Sequence, residues 1–188
     1  MELRKFRWNY DAGEEIKVEA YSNLDDVELF VNGRSFGPKK RDDMGKFSWI
    51  IPYEAGTLKV TAKDKDGTVY EDTLETENEG YRLTAKLLND EEEESDASYG
   101  QIEVIVLDAN GNIARDADVS VTVETCGAVS FAHMDNGNLA DTSDYTSNKR
   151  NTFEGRLMVY VRQTRGTGES KVALRSSVGD VDIKIGDV

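Results

Sequence analysis

Val27-Glu28-Leu29-Phe30-Val31-Asn32-Gly33-Arg34-Ser35-Phe36-Gly37 carries apolar Val27, Leu29 and Val31 at every second position and then reaches Asn-Gly. Side chains of an extended strand point alternately to its two faces, so this period of two marks a half-buried strand. Asn and Gly adopt positive φ at little cost, and the pair closes tight hairpins between twisted strands. The pattern continues on both sides. Ile16-Val18-Ala20, Phe47-Trp49-Ile51 and Leu58-Val60-Ala62 alternate in the same way, and Asp66-Gly67 supplies a second turn. Further on come Leu83-Ala85-Leu87, Ile102-Val104-Val106, Val119-Val121-Val123, Leu157-Val159-Val161, Val172-Leu174 and Val181-Ile183-Ile185. Pro38 and Pro52 lie outside these alternating cores, most of the 16 glycines fall at turns, and no helical stripe of comparable length appears. The chain reads as all-β.

A strand with one apolar face needs a second layer to cover it, so the expected architecture is sheet packed on sheet. At about 100–150 residues per domain, 188 residues hold one large or two small domains. The polar run Glu75-Thr-Glu-Asn-Glu-Gly80 separates two sets of strands. The expectation is therefore two tandem β-sandwiches, residues 1–78 and 79–188, with about seven strands each. Residues 1–76 carry 12 basic and 16 acidic groups and residues 77–188 carry 11 and 21, so the negative excess lies mainly in the second unit.

A net charge of −14 leaves no broad basic surface for counterion release, which argues against nucleic acid and against an anionic membrane as partners. No stretch approaches the ~18 apolar residues of a membrane span. With Cys126 alone there is no intrachain disulfide and no cysteine zinc site, and with His133 alone any triad must be built on that residue. No Gly-x-Ser-x-Gly elbow accompanies it, so His133 reads as a loop histidine. Asp108-x-Asn110-x-Asn112 imitates the opening of a calcium loop, yet Val119 stands where that loop needs a bidentate Glu, so a hairpin turn is expected. No metal and no cofactor is expected. Cys126 reads as a small buried hydrophobe, the acidic run Asn89–Asp96 as a solvated loop, and the polar segment 133–152 as a surface loop long enough to have a task. Trp49 shares its face with Phe47 and Ile51 and is assigned to the first core, like the inter-sheet tryptophan of Ig-type domains.

Arg7-Trp8-Asn9-Tyr10 followed by Gly13, then Tyr21-Ser22-Asn23 and the stretch Val27–Gly37, resembles the first Ig-like domain after the barrel in many β-galactosidases of glycoside hydrolase family 2. Trp49-Ile-Ile-Pro52-Tyr53-Glu-Ala-Gly56-Thr-Leu58 resembles the same domain. The second unit is similar to the Ig-like domain that follows it, through Val106-Leu-Asp-Ala-Asn-Gly-Asn112, Asp135-Asn-Gly-Asn138 and Phe153-Glu-Gly-Arg-Leu157. The resemblance covers essentially the whole chain. It implies two Ig-like (fibronectin-III-like) sandwiches in a non-catalytic C-terminal region, because the family's acid/base and nucleophile glutamates belong to a preceding barrel. The implied partners are the catalytic and other domains of the parent glycosidase. Met1 stands immediately before the matching region, and the expectation is a fragment of a longer enzyme, its compartment left open.

Trp8, Asn9, Tyr10, Asp135, Asn136 and Asn138 are the candidate residues for interdomain or carbohydrate contact. Trp8 either staples the N-terminal segment or faces the rest of the enzyme, with glycan contact a third reading. Two alternatives stand beside the accessory role. One is a carbohydrate-binding module that stacks galactosides on an exposed Trp8–Tyr10 platform. The other is an Ig-like spacer of a bacterial surface protein.

Overall fold

The computed structural model describes residues 8–90, 97–164 and 169–185, and every helix or strand among them is a strand. The chain divides into two compact units, Met1–Glu77 and Asn78–Val188.

The first unit contains β1 (Glu15–Tyr21), β2 (Asp26–Val31), β3 (Arg34–Lys39), β4 (Lys46–Pro52), β5 (Thr57–Lys63) and β6 (Val69–Glu75). Four of them form an antiparallel sheet in the order β3-β2-β5-β6, and β1 pairs with β4 in a two-stranded layer. Between the layers lie Val27, Leu29, Val31 and Leu58 from one sheet and Ile16, Phe47, Trp49 and Ile51 from the other. The Trp49 indole N–H donates to the Gly37 carbonyl at 3.2 Å, linking β4 to β3 of the larger sheet. At the β2–β3 turn Asn32 and Gly33 have φ of 50° and 80°. The Asn32 side chain then latches the start of β5, donating to the Ala55 carbonyl at 2.9 Å and accepting from the Thr57 N–H at 2.8 Å. Gly56 lies between those two contacts, where a Cβ would come within 2.0 Å of Asn32 Oδ1.

The second unit contains β7 (Arg82–Asp90), β8 (Ala97–Leu107), β9 (Ser120–Cys126), β10 (Val129–Asp135), β11 (Lys149–Asn151), β12 (Arg156–Thr164), β13 (Ser170–Ser176) and β14 (Val181–Ile185). Two four-stranded antiparallel sheets, β10-β12-β8-β7 and β11-β9-β13-β14, face each other. Register aligns the apolar positions: Val104 sits opposite Leu157 and Ala85, and Ile102 opposite Val159 and Leu87. These residues meet Val121, Val123, Val172 and Leu174 of the second sheet in one core. The Asp108–Asn112 turn is organised by a fully buried carboxylate. Asp108 accepts from the N–H groups of Asn110 and Asn112 through Oδ1, at 3.0 and 2.8 Å, and from the Asn78 N–H through Oδ2 at 3.1 Å.

Several sequence expectations need correcting. The units have six and eight strands among the described residues, and β3, β6, β10 and β11 are strands that no alternating run in the sequence marked. β6 is exposed on both faces except at half-buried Leu74, so it has no core pattern to read. Pro38 lies inside β3, an edge strand that tolerates a missing N–H. Cys126 is exposed rather than buried: Val121 and Val123 take the inward positions of β9, and Cys126 follows Thr122 and Glu124 on the outward ones. His133 belongs to β10 and not to a loop. Of segment 133–152, residues 133–135 belong to β10 and 149–151 to β11, and residues 136–148 form the connection. Asn89 and Asp90 end β7, while 91–96 of the acidic run, with Phe6 and Arg7, lie outside the described residues.

Between β9 and β10 the chain passes from one sheet to the other through Gly127, at φ 82°. A Cβ there would lie 2.6 Å from the Glu169 carbonyl oxygen and 2.9 Å from the Ser170 Cα, both backbone atoms that cannot rotate away. Gly127→Ala is expected to lower stability by at least about 1–2 kcal/mol, the cost of a left-handed L-residue before any clash is added. A urea midpoint unchanged from the parent sequence would refute this.

Candidate functional site

Trp8 lies ahead of β1 and is fully buried. Its indole N–H donates to the Glu54 carbonyl at 3.1 Å, and its own carbonyl accepts from the Tyr53 hydroxyl at 3.4 Å. Trp8, Tyr10 and Tyr53 pack edge to face in all three pairings, at centroid separations of 4.9–6.0 Å. The same corner holds the far end of the unit. Tyr53 shares a 3.0 Å hydrogen bond with the Thr76 hydroxyl, Gly56 N–H donates to that hydroxyl at 2.8 Å, and Glu77 N–H donates to Asn9 Oδ1 at 2.7 Å. Residues 8–10 therefore clasp residues 76–77 across 68 positions of sequence. No open Trp8–Tyr10 platform exists, because the indole that would form it is inside the core.

The second group of candidates opens the connection between β10 and β11. Asp135 accepts from the Gly137 N–H, Asn136 Oδ1 from the Asn138 N–H, and Asn138 Oδ1 from the Ala140 N–H, each at 3.0 Å. Such Asx bonds let a polar side chain replace a missing ladder partner for its own backbone. The Asn136 amide also donates to Asp141 at 2.9 Å and to the Asn151 carbonyl at 3.0 Å. At the centre lies Arg150 of β11, its side chain 1% exposed, bonded to Asp141 at 2.8 Å and to the Ser143 carbonyl at 3.0 Å, with Tyr145 stacked on its guanidinium at 4.7 Å. Hydrogen bonds from Ser143, aided by the Arg150 charge and the Asn136 amide, hold the Asp141 carboxyl below its ordinary value of 3.8. Thr146 does the same for Asp144. Leu139, by contrast, projects fully into solvent from this braced loop.

Asp135, Asn136 and Asn138 thus come together at one loop and Trp8, Asn9 and Tyr10 at one corner, in different units. Asp135 Oδ1, the Asn136 carboxamide and Asn138 Oδ1 are engaged in shaping the loop, and the Asn9 carboxamide oxygen is engaged by the Glu77 N–H. Sequence reasoning missed Arg150 and Asp141, and it could not have paired them, since nothing in a polar run distinguishes the one cation that turns inward. It also missed the outward face of β8, β10 and β12. Tyr99, Tyr160 and His133 fall on that face, and Tyr99 and Tyr160 could have been read there from the alternation of Ile102–Val106 and Leu157–Val161. Among the described residues no cluster of three or more His, Cys, Asp or Glu is arranged to hold a metal ion.

Two stacked-sheet units in tandem define an all-β sandwich protein. The chain belongs to the C-terminal region of glycoside hydrolase family 2: residues 82–180, more than half of it, match the model of "Glycoside hydrolase family 2 C-terminal domain 5". Residues 13–71 match a domain of unknown function, DUF4982. The chain is similar to β-galactosidase BoGH2A of Bacteroides ovatus, at 34% identity over 173 residues that make up 90% of this chain and 20% of that protein. A crystal structure of a family 2 glycosyl hydrolase from Bacteroides cellulosilyticus superposes with a TM-score of 0.88 at 25% identity, covering 96% of this chain and 26% of that one. A β-glycosidase structure from Bacteroides vulgatus shares the fold, with a TM-score of 0.78 at 23% identity over 95% of this chain and 24% of that one. The chain spans about a fifth of the length of the curated relative.

Trp8→Ala is expected to cost roughly 3–5 kcal/mol in the first unit, as for other buried aromatic truncations. An exposed ligand-facing tryptophan would cost almost nothing, so a stability change below 1 kcal/mol refutes the clasp. For the loop, a carboxylate whose folded pKa is depressed contributes stability above its unfolded value and loses it as pH falls through the folded one. Asp141 and Asp144 are expected to titrate by NMR with midpoints below 3.8, and Ser143→Ala to move the Asp141 midpoint upward. Midpoints at or above 3.8 would contradict the hydrogen-bonded loop.

Proposed function

We propose that this chain is a non-catalytic C-terminal accessory region of a family 2 glycosidase of β-galactosidase type, packing on and supporting the catalytic barrel. The observation that carries the reading is the alignment: nine-tenths of the chain corresponds to one-fifth of a β-galactosidase. Retaining glycoside hydrolysis needs two carboxyl groups about 5–5.5 Å apart flanking the scissile bond. In the resemblance from which this reading starts, those groups sit on a barrel that precedes the two sandwiches. The work left for such a region is positional. Apolar surface buried at a domain junction stabilises by about 25 cal/mol per Å² before ordering costs, and a stiff sandwich holds its loops in place relative to the partner.

The loop over 136–148 suits that work. Its Asx bonds and its Arg150–Asp141 centre fix the backbone, so a group carried at its tip is presented without further loss of conformational freedom. Galactoside binding through Trp8 is disfavoured by the burial of the indole. The surface-spacer reading has no counterpart in the family 2 match.

The 188-residue chain, incubated with a chromogenic β-galactoside, is expected to release no product above the uncatalysed rate. Turnover that survives repurification and is abolished by substituting an acidic residue of this chain would overturn the proposal.

A further inference from the structure

The two outward faces of the second sandwich differ in chemistry. Across β9, β13 and β14 the outward side chains form an ion-pair lattice suited to water. Arg175 contacts Asp182 at 2.8 Å, Glu124 at 3.6 Å and Asp180 at 3.7 Å, and Lys171 contacts Asp182 at 3.0 Å. The face of β10-β12-β8-β7 carries Tyr99, Ile105, His133, Met158 and Tyr160 instead. They point outward because Ile102, Val104, Val106, Leu157, Val159 and Val161 of the same strands point into the core. Tyr99 is 55% exposed, and His133 lies stacked on Tyr160 at 4.3 Å with the rings 14° apart.

Among the described residues this face also carries Arg82, Lys86, Arg156 and Arg162 beside the acids Glu103 and Asp135, with Arg156 ion-paired to Glu103 at 2.5 Å. Tyrosine, methionine and arginine are the residues enriched at the centres of protein interfaces, where lysine, glutamate and aspartate are depleted. The His133–Tyr160 stack occupies one face of each ring, so the pair does not offer the flat open platform on which a pyranose stacks.

We propose that the outward face of the β10-β12-β8-β7 sheet is the surface by which this unit docks on the rest of the parent enzyme, against a face that is apolar at its centre and acidic at its margin. The inference rests on the accessory reading above and goes further by assigning the contact to one side of one unit. The length of chain outside this region supports the choice of occupant, since the β-galactosidase BoGH2A carries four-fifths of its length beyond the part that matches.

The test compares covalent labelling of the 188-residue chain with that of the full-length parent enzyme, read by peptide mass spectrometry. Diethyl pyrocarbonate reports His133, the single histidine of the chain, and tetranitromethane reports Tyr99. Acetylation reports Lys171 and Lys184 of the opposite sheet. The expected result is labelling of His133 and Tyr99 reduced at least ten-fold in the parent, with the two lysines unchanged. Protection of the lysines with His133 and Tyr99 still reactive would overturn this face and leave the accessory reading standing. Equal labelling of all four sites in both samples would overturn both. Protection of His133 in the isolated chain by millimolar lactose would overturn it in favour of a sugar site.

Discussion

Removal of the inward faces of pleated strands from water is the interaction on which both units depend. Each face is a row of valine, leucine and isoleucine at alternate positions, and such a row is stable only with a second row laid over it. In the second unit four strands cover four, and among the described residues the fully buried core is aliphatic, with half-buried Tyr81 and Phe131 packed against it. In the first, two strands cover four, and the deficit is met by aromatic side chains. Phe47 and Trp49 lie stacked in the smaller layer at 6.4 Å, and Trp8 is drawn in from outside the strands altogether.

Polar residues in both units serve mainly to close the backbone where no ladder is available. The buried Asp108 carboxylate collects three N–H groups beneath an exposed turn, and Asn32 reads two backbone groups at the start of β5. In the 136–148 connection a succession of Asx bonds converges on the guanidinium of Arg150. A buried cation without its partner is costly, and removal of one member of such a pair leaves the other stranded. The Asp141 contact, the Ser143 carbonyl and the Tyr145 ring together make inward placement of Arg150 tolerable. A loop rich in Asn, Asp and Ser thereby becomes a fixed shape rather than a solvated coil.

Legibility in the sequence followed the physics of each element. Strands with one face in a core, such as Val27–Val31 and Leu157–Val161, announce themselves through period two. β6, exposed on both faces, carries no such signal, although it completes its sheet through the backbone. Trp49 could be assigned to the core because its neighbours at i±2 are apolar. Trp8 could not, because the segment around it has no period, and its burial depends on Tyr53 and Glu54, more than forty residues away. Cys126 shows the converse error: small apolar residues are commonly buried, but parity along β9 decides which side this one occupies. For the candidate contact residues, type and clustering were visible, while the partners that consume their hydrogen bonds were not.

The Trp8 corner has a consequence for the first unit as a whole. Asn9 and Glu77 sit near its two ends, and a hydrogen bond between them closes nearly the entire unit into one loop. Loop-closure entropy grows only slowly with length, so most of that cost is already met once the sheets have formed. The clasp therefore adds its aromatic packing and five hydrogen bonds at small further expense of chain freedom. A small unit with an undersized second layer is the kind of domain in which such a contribution matters, because it buries a lower fraction of its surface than a larger one. In that sense the tryptophan ahead of the first strand does the work of a further strand, filling from the segment before β1 the volume that two strands leave uncovered.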